Sequence, residues 1–287
     1  MTSPDALPRL TAAGVPLTRT VEVLDELGAR QAIQIPAERP LTVFVDKREL
    51  VTLMTLGAAP ELLVLGYLRN QRLVGAVHDI ESITVDWDVG AAAVRTRRGI
   101  EDFERKTARR VVTTGCGQGT VFGGLMDELD AVVLPSAAQA RISQRALYAL
   151  LEAVRRQEST YKSAGSVHGC AIFTIDGDDA RLERFVEDVG RHNAIDTLAG
   201  WMWLQGQGGA DKAFYTTGRL TSEMVIKSAQ MGVPIVVSRS GITQMGYELA
   251  TRLGLALFGR AMNRHFLCYS GFERFDAEPS LAQPARA

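Results

Sequence analysis

In the stretch TTGCGQGTVFGG, residues 113–124, one cysteine stands among five glycines and no charge. The reacting form of cysteine is the thiolate, a nucleophile toward sulfur whose pKa falls beside cations. Glycines on both sides of Cys116 lift the Cβ constraint on the backbone, which predicts a mobile loop. A thiol mounted in this way suits a sulfur carrier, which takes up sulfane sulfur as a persulfide from one partner and presents it to another. Composition alone also permits a buried structural cysteine, since cysteine is among the most buried residue types.

The other two thiols, Cys170 and Cys268, lie in the apolar contexts CAIF and HFLCYSG. Three scattered cysteines form no disulfide framework and fit free thiols in a reducing cytosol. Cys116, His168, Cys170 and His192 lack the ligand spacing of a zinc site, and no C-x-x-C pair exists, so no metal is expected. The glycine fingerprints of dinucleotide folds and P-loops are absent, as is the G-x-S-x-G nucleophile elbow.

A second chemistry lies between residues 213 and 260. AFYTTG reads as a strand and TSEMVIKSAQMG as a helix, with Thr221 as N-cap. PIVVSRS is the next strand, ITQMGYELATRLG the next helix and LALFGRA the third strand. Strand and helix alternating at this spacing predict parallel βαβ units and an α/β fold. Ligands of such sheets bind beyond the carboxyl ends of the strands. Those ends carry TTGRL, VSRSG and FGRAMNR, each with an arginine: Arg219, Arg239 and Arg260. The first two precede helix starts, whose free N–H groups favour anions. Guanidinium forks bind phosphate oxygens in pairs, so the three arginines predict one phosphate or pyrophosphate site.

FVEDVGRHNAID, residues 185–196, is dense in Asp, Arg, His and Asn. Its first half is poor strand or helix material. Arg191, His192 and Asn193 are candidates to line a polar pocket, with His192 or Asn193 capping a helix that runs into AIDTLAGWMWL.

Earlier elements form the frame. LTVFVD and RELVTLM are β-prone runs separated by Asp46-Lys47, which predicts a hairpin. APELLVLGYLRN is a helix opened by Pro60, and ESITVDWDV and AAAVRTRR are strands. Residues 143–157 form a helix capped by Ser143, with Leu147, Leu150, Leu151 and Val154 in the core. The expected organisation is a flexible extension or edge segment over residues 1–30, a small α+β domain over 31–110, and an α/β domain over 111–287. The chain of 287 residues has a net charge of -1, so no global field steers a nucleic acid to it. No apolar run reaches the ~18 residues of a membrane span, and the N-terminal residues carry no secretory signal pattern.

Six stretches together carry a family likeness: ERPLTVFVDKRELVTLM, GCGQG, SVHGCAIF, EDVGRHNAIDTLAGW, TTGRLTSEMVIKSAQMGVPIVVSRSG and GRAMNRHFLCYSG. Over roughly residues 35–272 the sequence resembles the formate dehydrogenase accessory sulfurtransferase family, FdhD. The resemblance implies a cytoplasmic homodimer whose larger α/β/α domain is cytidine-deaminase-like. It implies that Cys116 carries persulfide sulfur from a cysteine desulfurase to the molybdenum bis-guanylyl cofactor before insertion into formate dehydrogenase. It also places the cofactor-binding segment on Phe258, Gly259, Arg260, Ala261, Met262 and Asn263, with GDP as a mimic of the cargo. The family loop usually reads C-G-x-C-G; Gly119 stands where its second cysteine would be, which leaves a one-thiol carrier. Two other classes stay open: a zinc- or thiol-dependent nucleotide hydrolase, and a nucleotide-binding regulatory protein.

Overall fold

Strands β4 (Arg39–Val45) and β5 (Arg48–Thr55) pair antiparallel around Asp46 and Lys47. Both turn residues have positive φ, 48° and 71°, the signature of a two-residue hairpin turn whose twist matches that of the strands. The structure is a computed structural model that describes residues 6–101, 103–104 and 132–282. Cys116, Gly119 and the expected carrier loop lie outside the described residues. The chain forms two compact units. One comprises Met1–Thr120, Glu158–Gly169 and Val186–Gln205; the other comprises Val121–Gln157, Cys170–Phe185 and Gly206–Ala287. The division expected from sequence follows chain order, whereas these units interleave.

In the first unit, β1 (Arg9–Leu10), β6 (Ile80–Asp86) and β7 (Ala91–Thr96) join the hairpin in a five-stranded sheet of order β1-β6-β7-β4-β5. The lead-in segment thus contributes an edge strand. It also contributes β2 (Thr18–Leu24), which pairs with β3 (Arg30–Pro36) in a separate ribbon. Leu41, Val43, Leu53, Ile83 and Val94 from the sheet bury against Leu63, Val64 and Leu68 of helix α1 (Pro60–Asn70), which starts at Pro60 as expected.

Helix α4 (Arg191–Leu204) completes this unit from the far end of the sequence. Glycines set how close it comes to α1. A methyl group on Gly66 would overlap the Asp196 carbonyl, and one on Gly200 would overlap that of Leu62. Beside this crossing, Asn70 Nδ2 donates to Asp196 Oδ1 at 2.7 Å and Arg69 Nη1 to the Ala199 carbonyl at 3.3 Å.

The second unit is built on a six-stranded sheet of order β10-β9-β11-β12-β13-β14. β11 (Lys212–Thr216), β12 (Ile235–Ser238) and β13 (Ala256–Met262) are parallel. They are linked by helices α5 (Ser222–Gln230) and α6 (Gln244–Leu253), the repeated βαβ unit expected from sequence. β9 (His168–Asp176) and β14 (His265–Ser270) flank them antiparallel. β10 (Asp179–Asp188) runs through Phe185 and Val186 to Asp188. The sequence reading of that segment as poor strand material is therefore corrected; Val186 and Asp188 are both buried, and pairing in the sheet outweighs low local propensity.

A short pair, β8 (Ile142–Ser143) with β15 (Phe275–Asp276), precedes helix α2 (Gln144–Arg156). Ser143 caps α2, accepting from the Ala146 N–H at 3.1 Å. Helix α3 (Thr160–Ala164) belongs to the first unit. The second core joins Leu147, Leu150, Phe173, Tyr215 and Val237 to Phe258. Phe258, Phe266 and Phe275 pack edge to face with centroids 5.2 to 5.7 Å apart.

Because backbone stands where a methyl would go, Gly200→Ala forces the α1–α4 crossing apart. Overpacking of this kind costs on the order of 3 kcal/mol, which lowers the unfolding midpoint of a chain this size by roughly 6–12 °C. Thermal unfolding followed by circular dichroism checks it; an unchanged midpoint contradicts the close crossing.

Candidate functional site

Two of the three parallel strands of the second unit end in hydroxyls. Thr216 closes β11 and Ser238 closes β12, in register with each other and fully buried. Thr216 Oγ1 accepts from the Gly218 N–H at 3.0 Å, so the turn toward Arg219 folds back on the strand end. Ser238 Oγ donates to the Gly218 carbonyl at 2.6 Å and accepts from the Ser240 N–H at 2.9 Å. Cys170 Sγ lies 3.3 Å from Thr216 Oγ1, on the neighbouring strand β9.

Backbone bonds lace the three arginine-bearing segments together. The Arg239 N–H donates to the Thr216 carbonyl (3.0 Å), the Arg260 N–H to Ser240 (2.8 Å), and the Leu220 N–H to Gly241 (3.0 Å). Leu220 and Ile242 form a parallel bridge. Arg219, Arg239 and Arg260 are all exposed. The backbones carrying them thus lie side by side along one edge of the sheet. Burial pushes the Tyr215 phenol up to about 12, while the charge of Arg239 acts in the opposite sense; that guanidinium therefore lies near the end of β11.

Arg260 is not beyond its strand, as the sequence pattern implied, but inside β13 at a register shift between Gly259 and Met262. Its φ is +51°. A left-handed conformation costs a non-glycine residue roughly 1–2 kcal/mol, and such strain concentrates at functional positions. Within the expected binding segment, Phe258, Gly259 and Ala261 are buried, whereas Arg260, Met262 and Asn263 are exposed. Thr221 precedes α5 as expected, but its side chain makes no capping bond; Thr243 caps α6, accepting from the Gly246 N–H.

Arg191, His192 and Asn193 belong to the first unit. All three are buried in the first turn of α4, and the N-cap is Gly190 rather than His192 or Asn193. Asn193 is diverted from capping by two acceptors: its Nδ2 donates to the Met54 carbonyl at 2.7 Å and to Asp188 Oδ1 at 2.9 Å. Asp188 also accepts from Thr55 Oγ1 (2.5 Å), the Gly190 N–H (3.1 Å) and the Leu56 N–H (3.3 Å). Burial raises the Asp188 carboxyl above its ordinary range, against the pull of these donors. Among the described residues, no group of three His, Cys, Asp or Glu side chains converges on a metal position.

Two of the three thiols are described. Cys170 is fully buried. Cys268 is half-buried, and burial pushes its thiol up to about 11. The buried hydroxyls Thr216 and Ser238 escaped the sequence reading. Their signal was present as a hydroxyl at the end of each apolar strand, two or three residues before a turn.

With the geometry set out, the likenesses of the chain can be placed on it. The FdhD/NarQ family model matches residues 36–276. A protein named sulfur carrier protein FdhD from Bacillus subtilis is 31% identical over 83% of this chain and 88% of its own length. A protein of the same name from Listeria monocytogenes is 29% identical over 87% of this chain and 95% of its own. A crystal structure from Desulfotalea psychrophila, described as of a formate dehydrogenase accessory protein, superposes with a TM-score of 0.73. It covers 91% of this chain and 100% of its own at 24% identity, and so shares the mixed α/β fold. Among the described residues no helix is long and apolar enough to cross a membrane.

The Asp188 network yields a test. All of its bonds are donated to the carboxylate, so Asp188→Asn sets an amide N–H₂ against donors and costs about 2 kcal/mol at neutral pH. The carboxyl is raised in the folded state. Its contribution is therefore greatest below the unfolded value near 4 and is lost as pH rises through the raised folded value. Urea titrations from pH 4 upward check both points: wild type loses stability across that window and Asp188→Asn shows a flatter profile.

Proposed function

The chain belongs to the FdhD/NarQ family, and on that premise we propose that it is a sulfur carrier for formate dehydrogenase maturation. Cys116 accepts sulfane sulfur from a cysteine desulfurase. Its thiolate attacks the outer sulfur of the donor's persulfide, a new S–S bond forms on Cys116, and the donor leaves as a thiolate. Sulfur changes hands without net oxidation. The sulfur then goes to the molybdenum bis-guanylyl cofactor, held as cargo. We read the six-stranded unit as the cytidine-deaminase-like domain of the family, and the protein as a cytoplasmic homodimer.

The observation that carries this reading is the state of the other thiols. Cys170 is sealed in the core, and Cys268 holds its proton up to about 11. Neither is placed to act as a nucleophile at neutral pH, which supports Cys116 as the carrier. The cargo end is supported by the laced rim. Its arginines, Arg219, Arg239 and Arg260, suit the pyrophosphates of a bis-guanylyl cofactor, and the segment from Phe258 through Asn263 contributes the strained Arg260. We keep Arg191 and His192 as cofactor-binding candidates on the polar sequence around them alone.

Two experiments test this. Incubation with a cysteine desulfurase and cysteine adds ~32 Da, one sulfur, to wild type. Cys116→Ala loses both the adduct and formate dehydrogenase maturation in cells, whereas Cys170→Ala and Cys268→Ala keep them. A fully active Cys116→Ala variant ends the carrier reading, and an adduct that appears only after Gly119→Cys ends the one-thiol form of it. Calorimetry with GDP checks the rim. Arg219→Ala, Arg239→Ala and Arg260→Ala each weaken binding about ten- to a hundredfold, the range for a hydrogen bond to a charged group, and wild-type affinity falls with added salt.

A further inference from the structure

The pairing of β13 with β14 carries two opposed irregularities. Leu257 faces Ser270 but Phe258 faces Cys268, so Tyr269 is an extra residue on β14. Gly259 faces Leu267 and Met262 faces His265, so Arg260 and Ala261 on β13 stand against Phe266 alone. The offset opened at Tyr269 is closed at Arg260. Without it, regular pairing would set Phe258 against Tyr269 and Arg260 against Leu267. A one-residue slip of this kind turns side chains to the opposite face of a sheet.

The ring of Tyr269 occupies the space that a side chain at 259 would fill. A Cβ on Gly259 would lie 2.8 Å from Tyr269 Cε2 and 3.2 Å from the Ser240 carbonyl oxygen. That same carbonyl accepts the Arg260 N–H. The ring, the bare Cα of Gly259 and the loop that carries Arg239 are therefore packed together, directly before the bulge. Bulges of this sort re-aim side chains beside active sites. The bulged residue here is an arginine held at φ +51°, a conformation that glycine would adopt without strain.

We propose that Tyr269 is a positioning residue of the rim: its ring wedges against Gly259, fixes the offset between β13 and β14, and so aims Arg260 at bound phosphate. The proposal rests on the reading of the rim as a phosphate site. Tyr269 acts through Arg260, and its effect is confined to what that guanidinium does.

The test is a double-mutant cycle on the full chain, with GDP as probe and the unfolding midpoint measured in parallel. Tyr269→Ala weakens binding about tenfold, as does Arg260→Ala, and the double variant is no weaker than either alone, because coupled residues are not additive. Tyr269→Ala combined with Arg219→Ala multiplies the two losses. Tyr269→Phe, which keeps the ring, restores wild-type affinity. Gly259→Ala, which pushes the ring away, reproduces the loss if Tyr269→Ala fails to fold. Wild-type affinity in Tyr269→Ala or Gly259→Ala overturns the proposal, as does a full product of losses in the Tyr269–Arg260 pair. If all three arginine variants bind GDP as wild type does, the phosphate reading itself fails, and that outcome is visible without any Tyr269 variant.

Discussion

The first unit depends on two helices meeting backbone to backbone. α1 lies early in the chain and α4 more than a hundred residues later, yet Gly66 and Gly200 leave no room for a side chain between them. Once α4 must lie there, the strand that precedes it must end at the same place, and Asp188 at the end of β10 marks the join. Its carboxylate collects donors from Thr55, Leu56, Gly190 and Asn193. A carboxylate this buried is costly unless its lone pairs are filled, and here they are filled by the segments that have to meet. The units interleave because α1 and α4 belong together while Val121–Gln157 and Cys170–Phe185, which lie between them in the chain, belong to the second unit.

The second unit works by a different principle. Three strands run parallel, and the terminal hydroxyls of two of them, Thr216 and Ser238, bond the following turns back onto the sheet. Turns tied down in this way fix the backbones that carry Arg219 and Arg239. Arg260 adds backbone strain at the same edge, with φ at +51°, and strain of this kind concentrates at functional positions.

Much of the frame was legible because local rules governed it. Ser143 caps α2, Pro60 starts α1, Asp46-Lys47 turns the hairpin, and the alternation from residue 213 to 260 gives parallel strands. The misses share one cause, a distant partner. Asn193 has the chemistry of an N-cap, but the Met54 carbonyl, far off in sequence, claims its amide. The strand through Phe185 and Val186 looked too polar to form. Arg260 lies inside β13 at a register shift, and the compensating extra residue is on β14, which no pattern within β13 records. Of the expected site, the arginine-bearing segments are brought together along one edge. Arg191 and His192 are buried in the other unit; they were singled out by the polar residue types around them, which here serve the first turn of α4.

A sulfur carrier has a selectivity problem that bears on the two remaining thiols. Persulfide exchange breaks one S–S bond and forms another, so little free energy separates the right acceptor from a wrong one. Discrimination must come from which thiolates exist and which can be reached. In the proposed carrier, a second reactive thiol in the same chain would drain sulfur from Cys116. Cys170 avoids this through full burial beside the Thr216 hydroxyl, and Cys268 through a pKa raised to about 11 with its Sγ on the Ser270 carbonyl. Both sit on strands that frame the arginine edge, so the unit that would bind the cargo offers no described thiol able to take the sulfur first. Gly119 stands in place of a second loop cysteine, so in the proposed carrier no neighbouring loop thiol competes with Cys116.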